Sequence, residues 1–187
     1  FPREDLSTDQ AAKIQSFIDH HSSSQCHLLP HLAKSALLQP LAAGQLIDYL
    51  LVDKSRRLVH ALSGTQLVRT YRAAFGPNPH GPKTEEGDGK TPEGIYFLTF
   101  KNNRSDYHLS MKISYPNQRD LENSSRNHTS TGSDIMVHGL PSNSFKRLFI
   151  NHPKQNWTRG CVAVSDREIE ELYTATPIGT LIEICPN

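Results

Sequence analysis

The sequence predicts a mostly β fold of the α+β class, with a β-rich domain over residues 46–187 after a helical N-terminal extension over residues 1–45. Three observations support this prediction. The chain opens with apolar residues at helical spacing. From Leu46 onward, short apolar runs alternate with turn-forming residues, as in consecutive strands. Within that second region a single stretch, Ser165 to Tyr173, has a clear helix signature.

The extension is predicted to contain two helices. Ser7 or Thr8 can cap the first helix. Its apolar face is formed by residues three and four apart, namely Ala11, Ile14, Phe17 and Ile18. A second, shorter helix is expected between Pro30 and Pro40, and its apolar residues are Leu32, Ala36 and Leu37. Gly44 then ends the extension.

The β-rich region is predicted to begin with a meander of three strands. Apolar segments at 50–52, 58–62 and 67–75 are separated by the turn-like residues 53–55 and 63–65. Further strands are expected at 94–98, 108–113, 135–138 and 180–184.

Two irregular segments interrupt these strands, and one helix precedes the last of them. Residues 76–82 contain three prolines and two glycines, which deny them regular hydrogen bonding. Residues 117–133 are polar without an apolar period, so we expect a surface loop that, with Tyr115, could cover a site. Ser165 and Glu168 have the spacing of a capping box and predict a helix start.

The charge and hydropathy of the chain exclude two classes of partner. Twenty Lys and Arg residues against nineteen Asp and Glu residues give a net charge of +1, which predicts no nucleic-acid partner. The mean hydropathy is −0.53, and no apolar run approaches the roughly 18 residues that cross a bilayer, so no membrane span is expected. The sequence starts at Phe1 without a targeting segment, which was removed or was not included.

Three cysteines leave an odd count. In an oxidising compartment one pair can form a disulfide, and we predict that Cys26 pairs with Cys185 and that Cys161 stays free. The alternative is three reduced, partly buried thiols.

Cys161 and His138 are the residues best suited to nucleophilic catalysis. His138 closes an apolar strand, where side chains emerge toward a cleft, and Cys161 follows a glycine at the entry to packed structure. A neighbouring imidazolium lowers the pKa of a thiol below its free value of about 8.5. The Gly139 carbonyl could orient the imidazole, and the backbone N–H of Gly160 lies near the thiol, as an oxyanion hole requires.

Metal and nucleotide sites have little support. The ten histidines include one pair at His-x-x-x-His spacing, His27 and His31, with Pro30 between them, and no Cys-x-x-Cys is present; we predict neither a metal nor another cofactor. Residues 84–91 are glycine-rich, but the two consecutive glutamates there would repel phosphate.

The region from about 46 to 185 resembles the YkuD-type L,D-transpeptidase catalytic domain. His138-Gly139 followed by Thr158-x-Gly160-Cys161 is similar to that family's signature, and 51–54 and 90–96 are similar to its earlier motifs. Residues 156–161 and 114–117 most resemble the YafK-like branch, which includes members implicated in trimming or releasing wall-linked groups.

The resemblance implies an exported, periplasmic or wall-associated bacterial enzyme acting on peptidoglycan stem peptides. Cys161 would attack the L,D bond before a D-Ala and form a thioester. His138, oriented by Gly139, would move the proton, and the N–H groups of Gly160 and Cys161 would hold the oxyanion. Water or an amine would resolve the thioester, giving hydrolysis, a cross-link, or attachment or release of a lipoprotein. Oligomeric state is left open.

Two departures from the family pattern bear on substrate binding. Many members carry Arg two residues after the cysteine, where Ala163 stands. Arg159 could supply that charge or could be a solvated surface residue. Trp157 could line the groove or wedge the loop against the core. The predicted substrate-binding residues are therefore Arg159, Trp157, Thr158 and Tyr115.

Two other functions compete with this one. A wall-binding module could keep the fold and lose turnover, although retention of Cys161 and His138 argues against it. A general thiol hydrolase with an unrelated substrate is the other.

Overall fold

The computed structural model describes residues 1–34 and 38–187, which form a nine-stranded mixed sheet with a few helices. The strands are β1 (Glu4–Asp5), β2 (Tyr49–Asp53), β3 (Leu58–Ser63), β4 (Gln66–Arg72), β5 (Gly94–Ser105), β6 (His108–Ile113), β7 (Met136–His138), β8 (Val162–Ala163) and β9 (Leu181–Cys185). The α-helices are α1 (Thr8–His21), α2 (Leu29–Lys34), α3 (Gln118–Arg126), α4 (Ser144–Arg147) and α5 (Asp166–Ala175). A 3₁₀ turn at Cys26–Leu28 precedes α2. No helix in the described ranges is long and apolar enough to cross a bilayer.

The sheet has the strand order β4-β3-β2-β9-β5-β6-β7-β8, with β1 paired to β5. The predicted meander is confirmed, because β2, β3 and β4 pair antiparallel in sequence order. β9 lies at the centre, parallel to β2 and antiparallel to β5. β7 and β8 pair in parallel, with His138 opposite Ala163. The fold is mostly β with a helical N-terminal extension, as the sequence predicts.

Helix α5 covers one face of the sheet, and its boundaries follow from the residues identified in the sequence. The Ser165 side chain accepts from the Glu168 N–H while the Glu168 carboxylate accepts from the Ser165 N–H, which confirms the predicted capping box. Ile169 and Leu172 are fully buried in the main apolar core. This packing places the start of α5 beneath the end of β7.

The N-terminal extension docks along β5 and α5. Glu4 pairs with Lys101 in the β1–β5 ladder, and the Tyr173 hydroxyl donates to the Pro2 carbonyl. Ser7 caps α1 with a capping box. Helix α2 begins before the predicted helix, and the predicted apolar residues Ala36 and Leu37 lie outside the described residues.

The predicted disulfide between Cys26 and Cys185 is present and joins the extension to the central strand. The two residues are 159 apart in sequence, with Cα atoms 5.6 Å apart. Cys161 is the free cysteine. In the described residues, the group of three or more side chains with metal-ligand spacing is Cys26, Glu183 and Cys185, and its two sulfurs are joined to each other.

The segment 117–133 is not wholly irregular, which corrects the predicted loop. Helix α3 occupies its first half, because Asn117 and Asp120 form a reciprocal capping box that needs no apolar period. Tyr115, predicted to join a lid, is buried in the core, where its hydroxyl donates to the Thr131 carbonyl. The buried Tyr115 therefore anchors the loop through its hydrogen bond to Thr131.

Candidate active site

A cleft of about 620 Å³ lies beside β7 and β8, and both predicted catalytic residues line it. Its walls come from the loop after β4, the β5–β6 turn, the segment entering β7 and the segment entering β8. The lining residues are Pro77, Lys83, Glu86, Gly87, Gly89, Tyr107, Gly132, Ser133, Asp134, Ile135, His138, Trp157, Thr158, Arg159 and Cys161.

His138 is the last residue of β7, and its ring is held by its neighbour. Nδ1 lies 2.7 Å from the Gly139 carbonyl oxygen. A carbonyl can only accept, so Nδ1 carries the proton and Nε2 is left as an acceptor. The Gly139 N–H in turn donates to the Tyr107 and Leu109 carbonyls. A Cβ on Gly139 would lie 2.8 Å from an Asp166 carboxylate oxygen, so this turn requires glycine.

Two aromatic rings enclose His138. The ring of Tyr107 lies 4.4 Å from the imidazole, centroid to centroid, and that of Trp157 lies 5.6 Å away. Tyr107 and Trp157 also stack on each other at 6.2 Å. Trp157 therefore both lines the cleft and packs against His138, so the two alternatives raised by the sequence are compatible. Tyr107, in the β5–β6 turn, was missed because no local pattern marks it.

Cys161 lies immediately before β8 and is positioned by parallel pairing with β7. Val162 pairs with Val137, which sets Cys161 opposite Met136 on the strand that carries His138. Residues two apart share a face of a strand, so the two side chains point into one cleft. The Cys161 thiol donates to the Asp134 carbonyl at 3.5 Å.

Thr158 organises the turn that precedes Cys161. Its hydroxyl donates to the Cys161 carbonyl at 2.8 Å and accepts from the Gly160 N–H at 3.2 Å. The Gly160 N–H therefore points toward Thr158, which corrects its predicted place in the oxyanion hole. Gly160 has φ of +117°, and a Cβ there would lie 2.5 Å from the Lys90 carbonyl oxygen.

Burial favours the neutral form of both the Cys161 thiol and the His138 imidazole in the resting site. Burial lowers the pKa of His138 to about 4, against the Gly139 hydrogen bond that raises it, and a nearby His152 lowers it further. Burial raises the pKa of Cys161 to about 11, with the Asp134 carboxylate raising it and the Met136 N–H and Lys83 lowering it. A neutral imidazole offers no charge to stabilise a thiolate.

Asp88 fixes the loop after β4, which forms another wall of the cleft. Its carboxylate accepts from the N–H groups of Thr84, Glu85 and Lys90 and from the Lys83 ammonium, all within 3.2 Å. These partners hold the pKa of Asp88 below its usual value, against the effect of burial. Glycines flank Asp88 because the backbone here turns at positive φ. The glycine-rich run therefore organises a wall of the cleft.

The structure places three of the four predicted substrate-binding residues in the cleft. Arg159, Trp157 and Thr158 line the cleft, and Arg159 is exposed to solvent there. Tyr115 is the exception, since it is buried beneath the wall. Lys83 and Asp134 line the cleft without having been predicted, and no spacing in the sequence distinguishes them from surface charges.

The sequence matches the family YkuD, described as the L,D-transpeptidase catalytic domain, over residues 47–184, which include every cleft residue. YafK of Escherichia coli (strain K12), whose name assigns it to the L,D-transpeptidases, is 27% identical over 110 residues. That similarity covers 58% of this chain and 37% of YafK.

Solved structures show the same architecture. Bd1075 of Bdellovibrio bacteriovorus is 30% identical with a TM-score of 0.52, covering 80% of this chain and 52% of that one. The helical cell shape determining protein Pgp2 of Campylobacter jejuni is 20% identical with a TM-score of 0.56, covering 87% and 56%. An L,D-transpeptidase from Stackebrandtia nassauensis is 13% identical with a TM-score of 0.51, covering 97% and 80%. The last two show the fold alone. The chain spans about a third of YafK and about half of Bd1075.

Proposed function

Because the chain belongs to the YkuD family of L,D-transpeptidase catalytic domains and is similar to YafK, we propose that it is a cysteine acyltransferase or peptidase that acts on the L,D-peptide bonds of peptidoglycan stems. The observation that carries the proposal is the shared cleft of Cys161 and His138. Nδ1 of His138 is occupied by the Gly139 carbonyl, so Nε2 is free to accept the thiol proton.

The reaction begins from a neutral pair and therefore couples proton transfer to attack. Nε2 of His138 takes the Cys161 proton as Sγ bonds to the carbonyl carbon of the stem's third residue. The Cys161 N–H stabilises the resulting oxyanion. The C–N bond to D-Ala then breaks, and the imidazolium returns the proton to the leaving amine. Water or a second amine attacks the thioester carbon and gives its proton to Nε2 of His138. The C–S bond then breaks to release the acid or the new amide, and the imidazolium returns the proton to Sγ, which restores the thiol.

Arg159 is proposed to bind a carboxylate of the stem peptide. Ala163, where many relatives carry Arg, is fully buried, with β7 and Ala74 as its neighbours in the sheet. Arg159 instead brings its guanidinium to the cleft wall beside the nucleophile. Trp157 and Thr158 complete this wall, the first by contact area and the second by fixing the turn.

An oxidising, extracytoplasmic location is part of the proposal. The Cys26–Cys185 disulfide supports it, because such bonds persist in the periplasm and outside the cell and are rare in the cytosol. The acceptor decides between cross-linking, trimming of a D-Ala, and release of wall-linked groups, and we leave it to the experiment.

The test is mass spectrometry of products from disaccharide tetrapeptide muropeptides and from intact sacculi. Wild type and Cys161→Ala are compared, with far-UV circular dichroism to verify that both are folded. We expect the wild type alone to release D-Ala, form dimers or free a bound protein, and to carry an acyl adduct of matching mass.

The result also separates the alternatives. If the folded wild type leaves every substrate unchanged but sediments with sacculi, the proposal fails in favour of a wall-binding module. If Cys161→Ala keeps the activity, Cys161 is not the nucleophile. Arg159→Ala should raise KM for tetrapeptide about tenfold with kcat little changed, since it loses a charge-assisted hydrogen bond.

A further inference from the structure

A cluster of large apolar side chains projects into solvent from the loop that joins His138 to Cys161. Phe145, Leu148 and Phe149 are 67%, 78% and 72% exposed. The two phenylalanine rings pack edge to face at 5.2 Å, and these rings together with the exposed Leu148 are here called the apolar knob. Single exposed apolar residues are ordinary, but three within five positions are not.

The base of this loop is fixed, which makes the exposure a property of the fold. Arg147 forms an ion pair with Asp166 at 2.6 Å, and its Nε donates to the Pro141 carbonyl. The Leu140 N–H donates to the other oxygen of Asp166. Arg147 thereby holds α4 against the start of α5, and the knob residues lie on either side of Arg147 in sequence.

The charge around the knob has one sign. Between Asp134 and Asp166 the sequence has no acidic residue and four basic ones: Lys146, Arg147, Lys154 and Arg159. Lys146 lies between Phe145 and Leu148, Lys154 follows Phe149 by five residues, and both are exposed. Asp166 contacts the loop and is paired with Arg147, and the exposed Asp106 contacts it through its backbone carbonyl, which accepts from the Ser142 N–H. The knob is therefore apolar at its tip and positive at its rim.

We propose that the apolar knob docks this domain on the anionic surface of a phospholipid bilayer. Aromatic and leucine side chains above lysines are the composition of interfacial membrane binding, in which apolar groups enter the acyl boundary and cations contact headgroup phosphates. A fluid bilayer accommodates a convex projection, whereas a stable protein interface requires complementary shape over roughly 1,000 Å² or more, which three side chains do not provide.

Docking would hold the catalytic cleft close to the membrane surface. The knob and the cleft residues Trp157 and Arg159 belong to the same connection between β7 and β8. This inference is independent of the proposed reaction, because it concerns the outer surface of the loop and not the nucleophile.

The test is co-sedimentation with vesicles of phosphatidylcholine alone and of phosphatidylcholine mixed with phosphatidylglycerol. We expect wild type to bind the mixed vesicles, and F145S/L148S/F149S to bind them at least about tenfold more weakly. K146S/K154S should lose the preference for phosphatidylglycerol and the salt sensitivity of binding. L46S/L121S removes two exposed apolar residues elsewhere and should bind within about twofold of wild type.

Thermal melts verify that each variant is folded. We expect all of them to fold, because the substituted side chains are exposed. The proposal is overturned if folded wild type binds neither vesicle, or if the triple variant binds as wild type does. It is also overturned if sedimentation equilibrium shows that the knob mediates self-association and that only the monomer–dimer balance changes in the triple variant.

Discussion

The buried imidazole of His138 makes the stability of the domain depend on pH. Its pKa is about 4 in the folded chain and about 6.5 when exposed. Between these values the unfolded chain binds more protons, so the free energy of unfolding is fully present above pH 6.5 and falls as the pH drops toward 4. The loss amounts to about 3 kcal/mol for this residue.

Urea denaturation of wild type and His138→Gln at several pH values tests this. His60 and His152 also have lowered pKa values, and they contribute to both proteins. The difference between the two slopes of unfolding free energy against pH therefore isolates His138. His128→Gln, at an exposed position, should retain the wild-type slope. Parallel slopes for wild type and His138→Gln would contradict the expectation.

Gly160 is a second residue at which local geometry predicts a measurable cost. Gly160→Ala would place a Cβ 2.5 Å from the Lys90 carbonyl at positive φ, which we expect to lower the free energy of unfolding by about 3 kcal/mol. Gly64→Ala is the matched control, since Gly64 also has positive φ but has nothing within 4 Å of the added Cβ. It should cost about 1 kcal/mol. Equal losses in chemical denaturation would exclude the steric contact.

The prediction of Cys161 and His138 as a catalytic pair rests on the resemblance to the family signature, and the structure places both residues in one cleft. Tyr107 could not be predicted, because its contact with His138 arises from pairing between β6 and β7 and leaves no local spacing. The protonation states were also beyond prediction. They depend on how deeply His138 is buried, and sequence does not give that depth.

At the level of elements, a buried ion pair joins the meander to the wall of the cleft. Lys54, in the β2–β3 turn, has no exposed side-chain surface and contacts Glu93 at 2.5 Å and the Gly81 carbonyl at 2.9 Å. Burial lowers the pKa of Lys54, and Glu93 opposes that shift. The charge on Lys54 is maintained by this one carboxylate and by carbonyl oxygens.

Removing the Glu93 charge should therefore be costly. Glu93→Gln is expected to lower the free energy of unfolding by about 3 kcal/mol, because an unpaired buried cation remains. Glu122→Gln breaks an exposed pair with Arg126 and should change it by less than about 1 kcal/mol. Lys54→Met combined with Glu93→Gln should recover part of the loss. If Glu93→Gln and Glu122→Gln lower the free energy of unfolding equally in urea denaturation, the buried Lys54–Glu93 pair contributes no more than an exposed ion pair.

Elements with local signals were predictable, and those defined by partners were not. The Ser165 and Glu168 spacing fixed the start of α5. Helix α3 was missed because its Asn117 and Asp120 capping box stands on a segment without an apolar face. β5 runs to Ser105, well past the predicted end at residue 98, because pairing with β1 and β6 stabilises its polar second half.

At the scale of the whole molecule, the disulfide joins Cys26 to Cys185, which are 159 residues apart in sequence, and so closes a loop that spans most of the chain. Restricting so long a loop in the unfolded chain stabilises the fold by about 5 kcal/mol. Cys26→Ser with Cys185→Ser should lose this amount in urea denaturation and become insensitive to reductant. Cys161→Ser keeps the disulfide and should remain sensitive. The expectation is contradicted if wild type is as stable after full reduction as before it, with the reduction verified by thiol counting.

The position of β9 has a consequence for the order in which the sheet can form. β9 lies between β2 and β5, so a full strand joins the β2–β4 meander to the β5–β8 strands only once β9 is present. The other connection is the single bridge between Ala74, after β4, and Ala163 in β8. A chain that emerges from a ribosome or a secretion pore with its N-terminus first would expose two unpaired inner edges until residue 185 arrives. Such a chain depends on holding factors during delivery, and the catalytic domain matures as a late, single event and not strand by strand.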